Sequence, residues 1–247
     1  MDAAQARGPH AAPDVRLVVV TKSVETDLYG PLLAAGVTDI GENRVQAAAA
    51  RKPDAPEGFT WHGIGHLQRN KVGLALDTFD VLHAVDSLRL ARRIDALAGE
   101  RGVRMPIYLQ VNAADDPDKH GVMPEEALGF LREVAELPHL RAVGFMTMGK
   151  LGVEDADLRS TFRILREIRD GAVGLGLGEQ PPAGLSMGMS GDFEMAIEEG
   201  ATVVRVGRAV FEGVSSDGAA PADPPMANPT PDGAPSDGRP RDSGEPS

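Results

Sequence analysis

"RLVVVTKSVETDLYGPLLAAGVTDIG", residues 16–41, reads as one strand–helix–strand unit. A β-branched run at 16–21 gives way to the helix-like "ETDLYGPLLAAG", and a second short apolar run follows at 37–41. The same alternation continues along the chain. Further apolar runs lie at 61–65, 81–85, 106–111, 140–148, 184–189 and 203–207, with helix-like segments between them. In "SLRLARRIDALAGERG", Leu88, Ala91, Ile94 and Leu97 repeat at three-residue steps opposite charged positions; Ser87 is placed to cap this helix and Gly102 to stop it. Eight strands alternating with helices in about 200 residues predict a single compact (β/α)8 TIM barrel. A doubly wound open sheet is the competing architecture, and the strand count alone does not exclude it.

The barrel is expected to occupy residues 15–213. The first fourteen residues, "MDAAQARGPHAAPD", are poor in core-forming side chains and read as a disordered N-terminal segment. Residues 214–247 hold eight prolines and four glycines among 34 residues and read as a disordered acidic Pro/Gly-rich tail. Six acids and two arginines there account for −4 of a net charge of −12. That charge argues against nucleic acid as a partner. The chain has no cysteine, which excludes disulfides, thiolate metal sites and a cysteine nucleophile. No apolar stretch has the length of a membrane span, and the N-terminus lacks a basic segment followed by an apolar one. A cytoplasmic protein without membrane partners is expected, and a monomer.

In a barrel of this kind, function belongs at the C-terminal ends of the strands. Lys22 directly follows the first apolar run, and it alone of five lysines abuts a strand end in apolar surroundings. An amine partly desolvated there has a lowered pKa and serves as a nucleophile toward a carbonyl; the alternative is a lysine that snorkels to the rim. At the other end of the domain, "SMGMSGD" follows the seventh strand, and Gly207 and Arg208 follow the eighth. Small residues and helix starts after strands seven and eight suit a phosphate, although ordinary capping by Ser190 and a tight turn at Gly207 explain the same composition. Arg205 lies within the last strand, and if it faces the barrel interior its guanidinium needs an acceptor, from a ligand or from a protein carboxylate. An amine nucleophile and a phosphate cradle on one barrel mouth point to a phosphorylated aldehyde held as a Schiff base, with pyridoxal 5′-phosphate the leading candidate.

The segments "LVVVTKSV", "DIGENRVQ" (39–46), "WHGIGHLQRNK" (61–71), "LHAVDSLRLARRI" (82–94), "LQVNAADDPDKHG" (109–121), "VGFMTM" (143–148) and "LSMGMSGDFEMAI…GATVVRVGRAVFEG" occur in this order over nearly the whole predicted domain. As an ordered set they resemble the pyridoxal phosphate homeostasis family, single-barrel relatives of the alanine racemase N-terminal domain. The resemblance implies that Lys22 forms the Schiff base and that Asn43 lies beside the cofactor. It implies Ser186, Met187 and Ser190 around the ring and phosphate, Gly207 and the Arg208 backbone at the phosphate, and Arg205 facing the pyridine nitrogen. An arginine there keeps that nitrogen unprotonated and weakens the ring as an electron sink. Two departures stand out. Arg208 replaces a hydroxyl residue usual in the family, and the fourteen leading residues are too short and too broken by Pro and Gly for the family's N-terminal helix, which would leave one barrel end less covered.

The implied role is a non-catalytic carrier that buffers the cofactor and delivers it to apo-enzymes. The alternative is a cofactor-dependent amino-acid racemase, but its second base is missing, since Tyr29 and Tyr108, the only tyrosines, read as packing residues. A third reading is a barrel enzyme acting on a phosphorylated metabolite through a Lys22 imine. The i, i+4 pair His62 and His66 does not read as a zinc site, because Gly63 and Gly65 oppose a ligand-bearing helix. "GMSGD" lacks the final glycine and the partners of a serine hydrolase. Glu42 and Asp86, both at strand ends, read as ion-pair or helix-start acids rather than paired catalytic carboxylates.

Overall fold

The computed structural model describes residues 1–22, 24–150, 152–177 and 180–213, so the tail expected at 214–247 lies outside the described residues. Eight strands form: β1 (Arg16–Val20), β2 (Asp39–Glu42), β3 (Thr60–Gly63), β4 (Val81–Val85), β5 (Met105–Gln110), β6 (Leu140–Met146), β7 (Gly184–Ser186) and β8 (Val203–Val206). Each lies within or beside one of the apolar runs. All pairings are parallel and follow chain order, and β8 closes onto β1 with Val18 opposite Arg205 and Val19 opposite Val206. Closure in sequence order leaves no edge strand and no reversal of strand order, so the open-sheet alternative is excluded.

The outer layer comprises α2 (Tyr29–Ala34), α3 (Val45–Arg51), α4 (Val72–Thr78), α5 (Leu88–Arg101), α6 (Ala127–Ala135), α7 (Asp155–Gly174) and α8 (Phe193–Glu198). The expected signals at the ends of α5 are present: Leu90 N–H donates to Ser87 Oγ at 3.4 Å, and Gly102 adopts the left-handed region at φ 64°. The buried face of α5 is Leu90, Ala91, Ile94 and Ala98, while Leu88 and Leu97 are half-buried. A strict three-residue step lags a helix of 3.6 residues per turn, so the stripe drifts by one position at each end.

The N-terminal segment differs from the expectation. Residues Asp2–Arg7 form a short helix, α1, that packs on α8 with Ala4 buried. Gly8 lies so close to α8 that a Cβ there would stand 2.5 Å from Glu198 Cα. Arg7 binds Glu194 at 2.7 Å and Glu198 at 3.0 Å, and the Gln5 amide donates to the carbonyls of Ala12 and Pro13. Composition suggested disorder because the segment is poor in core-forming side chains, and six residues cannot hold a helix alone; the helix is held by a surface supplied from residues nearly 200 positions away.

The main core lies between the strands and the helix layer. A second, smaller cluster of Val18, Ala84, Tyr108, Met146 and Val203 fills part of the barrel interior. Two glycines let β6 and β7 meet beside it: a Cβ on Gly144 would stand 2.0 Å from Gly184 O, and one on Gly184 would meet the Tyr108 ring at 2.8 Å. Among the described residues, no helix is long and apolar enough to cross a membrane.

Candidate functional site

The rest of the barrel interior is polar, and its groups are joined. Arg205 is buried in β8 and donates from Nη1 to Ser186 Oγ at 2.6 Å and from Nη2 to the Thr147 carbonyl at 2.9 Å. Ser186 Oγ lies 2.8 Å from His83 Nδ1, His83 Nε2 lies 2.9 Å from His62 Nδ1, and His62 Nε2 lies 2.9 Å from Asp39 Oδ1. Asp39 also accepts from Arg16 at 3.1 Å and from Thr38 at 2.8 Å. With both imidazoles neutral, one pattern satisfies the chain. Arg205 donates to Ser186, Ser186 to His83, His83 to His62 and His62 to the carboxylate.

Such a chain is costly to build in part and stable when every member is satisfied. Burial holds the fully enclosed His83 well below the ordinary histidine range, and the Arg205 charge acts in the same direction. Burial also lowers Arg205 to about 10, so it stays charged at neutral pH. Asp39 is pushed up by burial, but its bonds to His62 and Thr38 and the Arg16 charge outweigh that and leave it lowered. Arg205 uses two of its five N–H groups on these acceptors, so it has donors to offer a ligand at the barrel mouth.

The exit of β1 is held by a buried ion pair. Glu42, at the end of β2, is 1% exposed and accepts from Arg51 Nη1 at 2.5 Å and from Thr21 Oγ at 3.0 Å. Arg51 also donates to the carbonyls of Thr21 (3.3 Å) and Lys22 (3.4 Å), which fixes the backbone that carries the lysine. Burial raises the Glu42 carboxyl above its usual range, against the Arg51 charge. The Lys22 side chain is exposed. This corrects the expectation of an apolar, partly desolvated amine. Residue 22 lies beyond the end of β1, and a long aliphatic stem lets an unpaired ammonium reach water.

The loops after β7 and β8 meet. Ala209 N–H donates to Ser190 Oγ at 3.4 Å, linking the turn at 188–192 to the turn that starts at Gly207. Asp192 accepts from the Met189 N–H and so closes the first turn. Among the described residues, the N–H groups of Ser190, Gly191 and Gly207 bond no protein acceptor. Gly207 sits against β1, where a Cβ would stand 3.3 Å from both Val20 Cβ and Val20 O. The paired turns therefore lie next to the strand exit that carries Lys22.

The other predicted site residues divide. Ser186 is buried within the polar chain, and Ser190 is half-buried at the junction of the turns. Asn43 is exposed just past β2, its backbone packed on Gly65. Arg208 is exposed, so its guanidinium lies on the solvent side. Met187 is a correction: its side chain is fully buried in the core shared with the helices. Strand alternation sends residues 186 and 187 to opposite faces, so Met187 can offer the site only its backbone.

Sequence reading missed the chain through His62 and His83, and it missed Arg51. Alternation within "WHG" and "VLHAV" gives the face of each histidine but not its partner. The two suspected acids are separately paired, Glu42 with Arg51 and Asp86 with His66 at 3.0 Å. Tyr29 packs its ring edge-on to Phe59 and Trp61, and Tyr108 lies against the His83 ring at 4.4 Å, consistent with packing roles.

Comparison with known proteins gives a consistent picture. A family model described as the alanine racemase N-terminal domain matches residues 4–214. A protein of Pseudomonas aeruginosa named pyridoxal phosphate homeostasis protein is 37% identical over 214 residues, covering 85% of this chain and 89% of that protein. A crystal structure of a Bifidobacterium adolescentis protein of unknown role superposes with a TM-score of 0.80 at 34% identity, over 85% of this chain and 89% of the other. The structure of PipY of Synechococcus elongatus with pyridoxal phosphate bound superposes with a TM-score of 0.71 at 37% identity, covering 81% of this chain and 93% of that one. Closed barrel, converging turns after β7 and β8, and relatives matched over most of their length agree: the chain belongs to the pyridoxal phosphate homeostasis protein family, built on the alanine racemase N-terminal domain.

Proposed function

We propose that this chain binds pyridoxal 5′-phosphate at the barrel mouth, buffers its free concentration and delivers it to apo-enzymes, acting as a cytoplasmic monomer. The observation that carries this reading is the meeting of the 188–192 and 207–210 turns beside the exit of β1. The donor set suits the ligand. Backbone N–H groups of Ser190, Gly191 and Gly207 suit a phosphate, which needs several donors and tolerates no side chain in the cradle. The buried Arg205 suits a ring nitrogen that must accept a hydrogen bond. Lys22 supplies the amine for a Schiff base, with water leaving as the bond forms, and Asn43 flanks the ring. The related PipY structure contains the same cofactor, which supports the assignment.

Pyridoxal phosphate supplies a reactive aldehyde and, when protonated on its ring, an electron sink. Arg205 opposes that protonation. It is itself a cation, and two of its N–H groups are committed to Ser186 and Thr147, which fixes its orientation. The chain ending at Asp39 holds Ser186 and so fixes the guanidinium. Neither tyrosine is placed as a second acid–base group, because Tyr29 lies in the helix layer and Tyr108 lies in the interior against His83. These features favour holding the cofactor over turning substrates over.

The full chain should turn yellow with added pyridoxal phosphate, and Lys22→Ala should abolish that absorbance. Failure of the wild-type protein to bind the added cofactor refutes the reading. To separate carrier from enzyme, the loaded protein is incubated with amino acids in heavy water. No exchange of the α-proton is expected, and rapid exchange would favour a racemase.

A further inference from the structure

We propose a divalent metal site on the sector of the barrel rim away from the paired turns, formed by His66, Asp86 and His120. Three successive strand exits supply one ligand each: His66 follows β3, Asp86 follows β4, and His120 lies in the loop after β5. Both imidazoles bring Nδ1 near the same carboxylate oxygen. His66 Nδ1 lies 3.0 Å from Asp86 Oδ2 and His120 Nδ1 lies 4.0 Å from it. The two rings stack with centroids 4.0 Å apart and planes 15° from parallel, and the three ligand atoms lie within 4.8 Å of one another.

Two imidazole nitrogens beside one carboxylate oxygen gather a donor set that suits a shared cation, and the stacked rings have to turn apart so that both lone pairs point at it. A tetrahedral zinc-class ion with bonds of about 2.0–2.1 Å needs its ligand atoms roughly 3.3 Å apart. The His66–Asp86 pair, at 3.0 Å, is close to that spacing, and with the three ligand atoms within 4.8 Å of one another His120 needs a shift of at most about 1.5 Å to join. The loop carrying His120 is fixed on both sides: Gln110 Nε2 donates to its carbonyl at 3.0 Å, Val122 N–H to Gln110 O, and Asn112 N–H to Val122 O. Exposure falls from the outer histidine inward, at 46% for His120, 30% for His66 and 11% for Asp86, so a coordination position faces solvent. An adjacent groove lined by Asp86, Ser87, Glu126 and Glu133 adds negative charge, which attracts cations.

Two imidazoles, one carboxylate and no thiolate select a borderline divalent ion such as Zn(II) or Co(II), with water completing the shell. The site is separate from the one proposed for pyridoxal phosphate, because β3–β5 lie on a different part of the closed sheet from β7, β8 and β1. Binding can therefore be tested without the cofactor.

The full chain, stripped with chelator, is titrated with Co(II) while its visible d–d bands are followed, and with Zn(II) by calorimetry. We expect one ion per chain, tetrahedral-type cobalt bands, and displacement of cobalt by zinc. His120→Ala changes an exposed loop residue and should weaken binding on the order of tenfold or more, with unchanged circular dichroism. Asp86→Asn should do the same, and His10→Ala, on the opposite end of the barrel, should bind as wild type. No cobalt bands up to millimolar metal, or equal affinity in His120→Ala and wild type, overturns the proposal.

Discussion

Replacement of Arg51 by methionine tests how the β1 exit is held. The variant keeps most of the side-chain volume but leaves Glu42, 1% exposed, with the Thr21 hydroxyl as its side-chain hydrogen-bond partner among the described residues. Breaking a buried ion pair from one side costs about 3–5 kcal/mol, and the 27% exposure of Arg51 places this case near the lower end. For a domain of this size that lowers Tm by about 6–12 °C. The pH dependence has a defined sign. Burial already raises the Glu42 carboxyl in the native state, and losing Arg51 raises it further. A native state that binds its proton more tightly than the unfolded chain gains stability on acidification. The deficit should therefore be full at pH 8 and shrink as the pH falls toward the ordinary glutamate range. Urea denaturation at pH 8 and pH 5 measures both quantities, and adding Glu42→Gln should recover most of the loss. A deficit below about 1 kcal/mol at pH 8, or one that does not diminish at pH 5, would refute the argument.

Two further outcomes follow from the interior. Gly144→Ala places a Cβ 2.0 Å from Gly184 O, so β6 and β7 must separate; a stability loss of about 3 kcal/mol or more is expected in urea, and a loss within 1 kcal/mol would contradict the packing. His83 is held neutral by burial, its pKa far below that of the unfolded chain, so the unfolded state takes up a proton that the native state refuses. Stability should fall by up to about 1.4 kcal/mol per pH unit below about pH 6.5 from this group. His83→Gln should remove that slope whatever its own stability, and an unchanged slope between pH 6.5 and pH 5.5 would remove His83 from the account.

The alternation of apolar runs was enough to place all eight strands and to put Lys22, Ser190, Gly207 and Arg208 at strand exits, because period and punctuation are local properties of the chain. Ser87 and Gly102 marked the ends of α5 for the same reason. Closure of the barrel was not local: it depends on β8 pairing with β1 across almost the whole chain. Nor was α1, whose stability comes from its contact with α8. Lys22 shows the limit in one residue. Its position in sequence gave its place at the rim, and only the fold revealed that its side chain is exposed while Arg51, held by Glu42, fixes its backbone. The chain from Arg205 to Asp39 draws on five strands, and the His66–Asp86–His120 group on three strand exits. Sequence determined which chemical groups the chain carries and which strand presents each one. Tertiary structure decided which groups meet, because hydrogen bonds and ion pairs act over a few ångströms in space and have no fixed spacing along the chain.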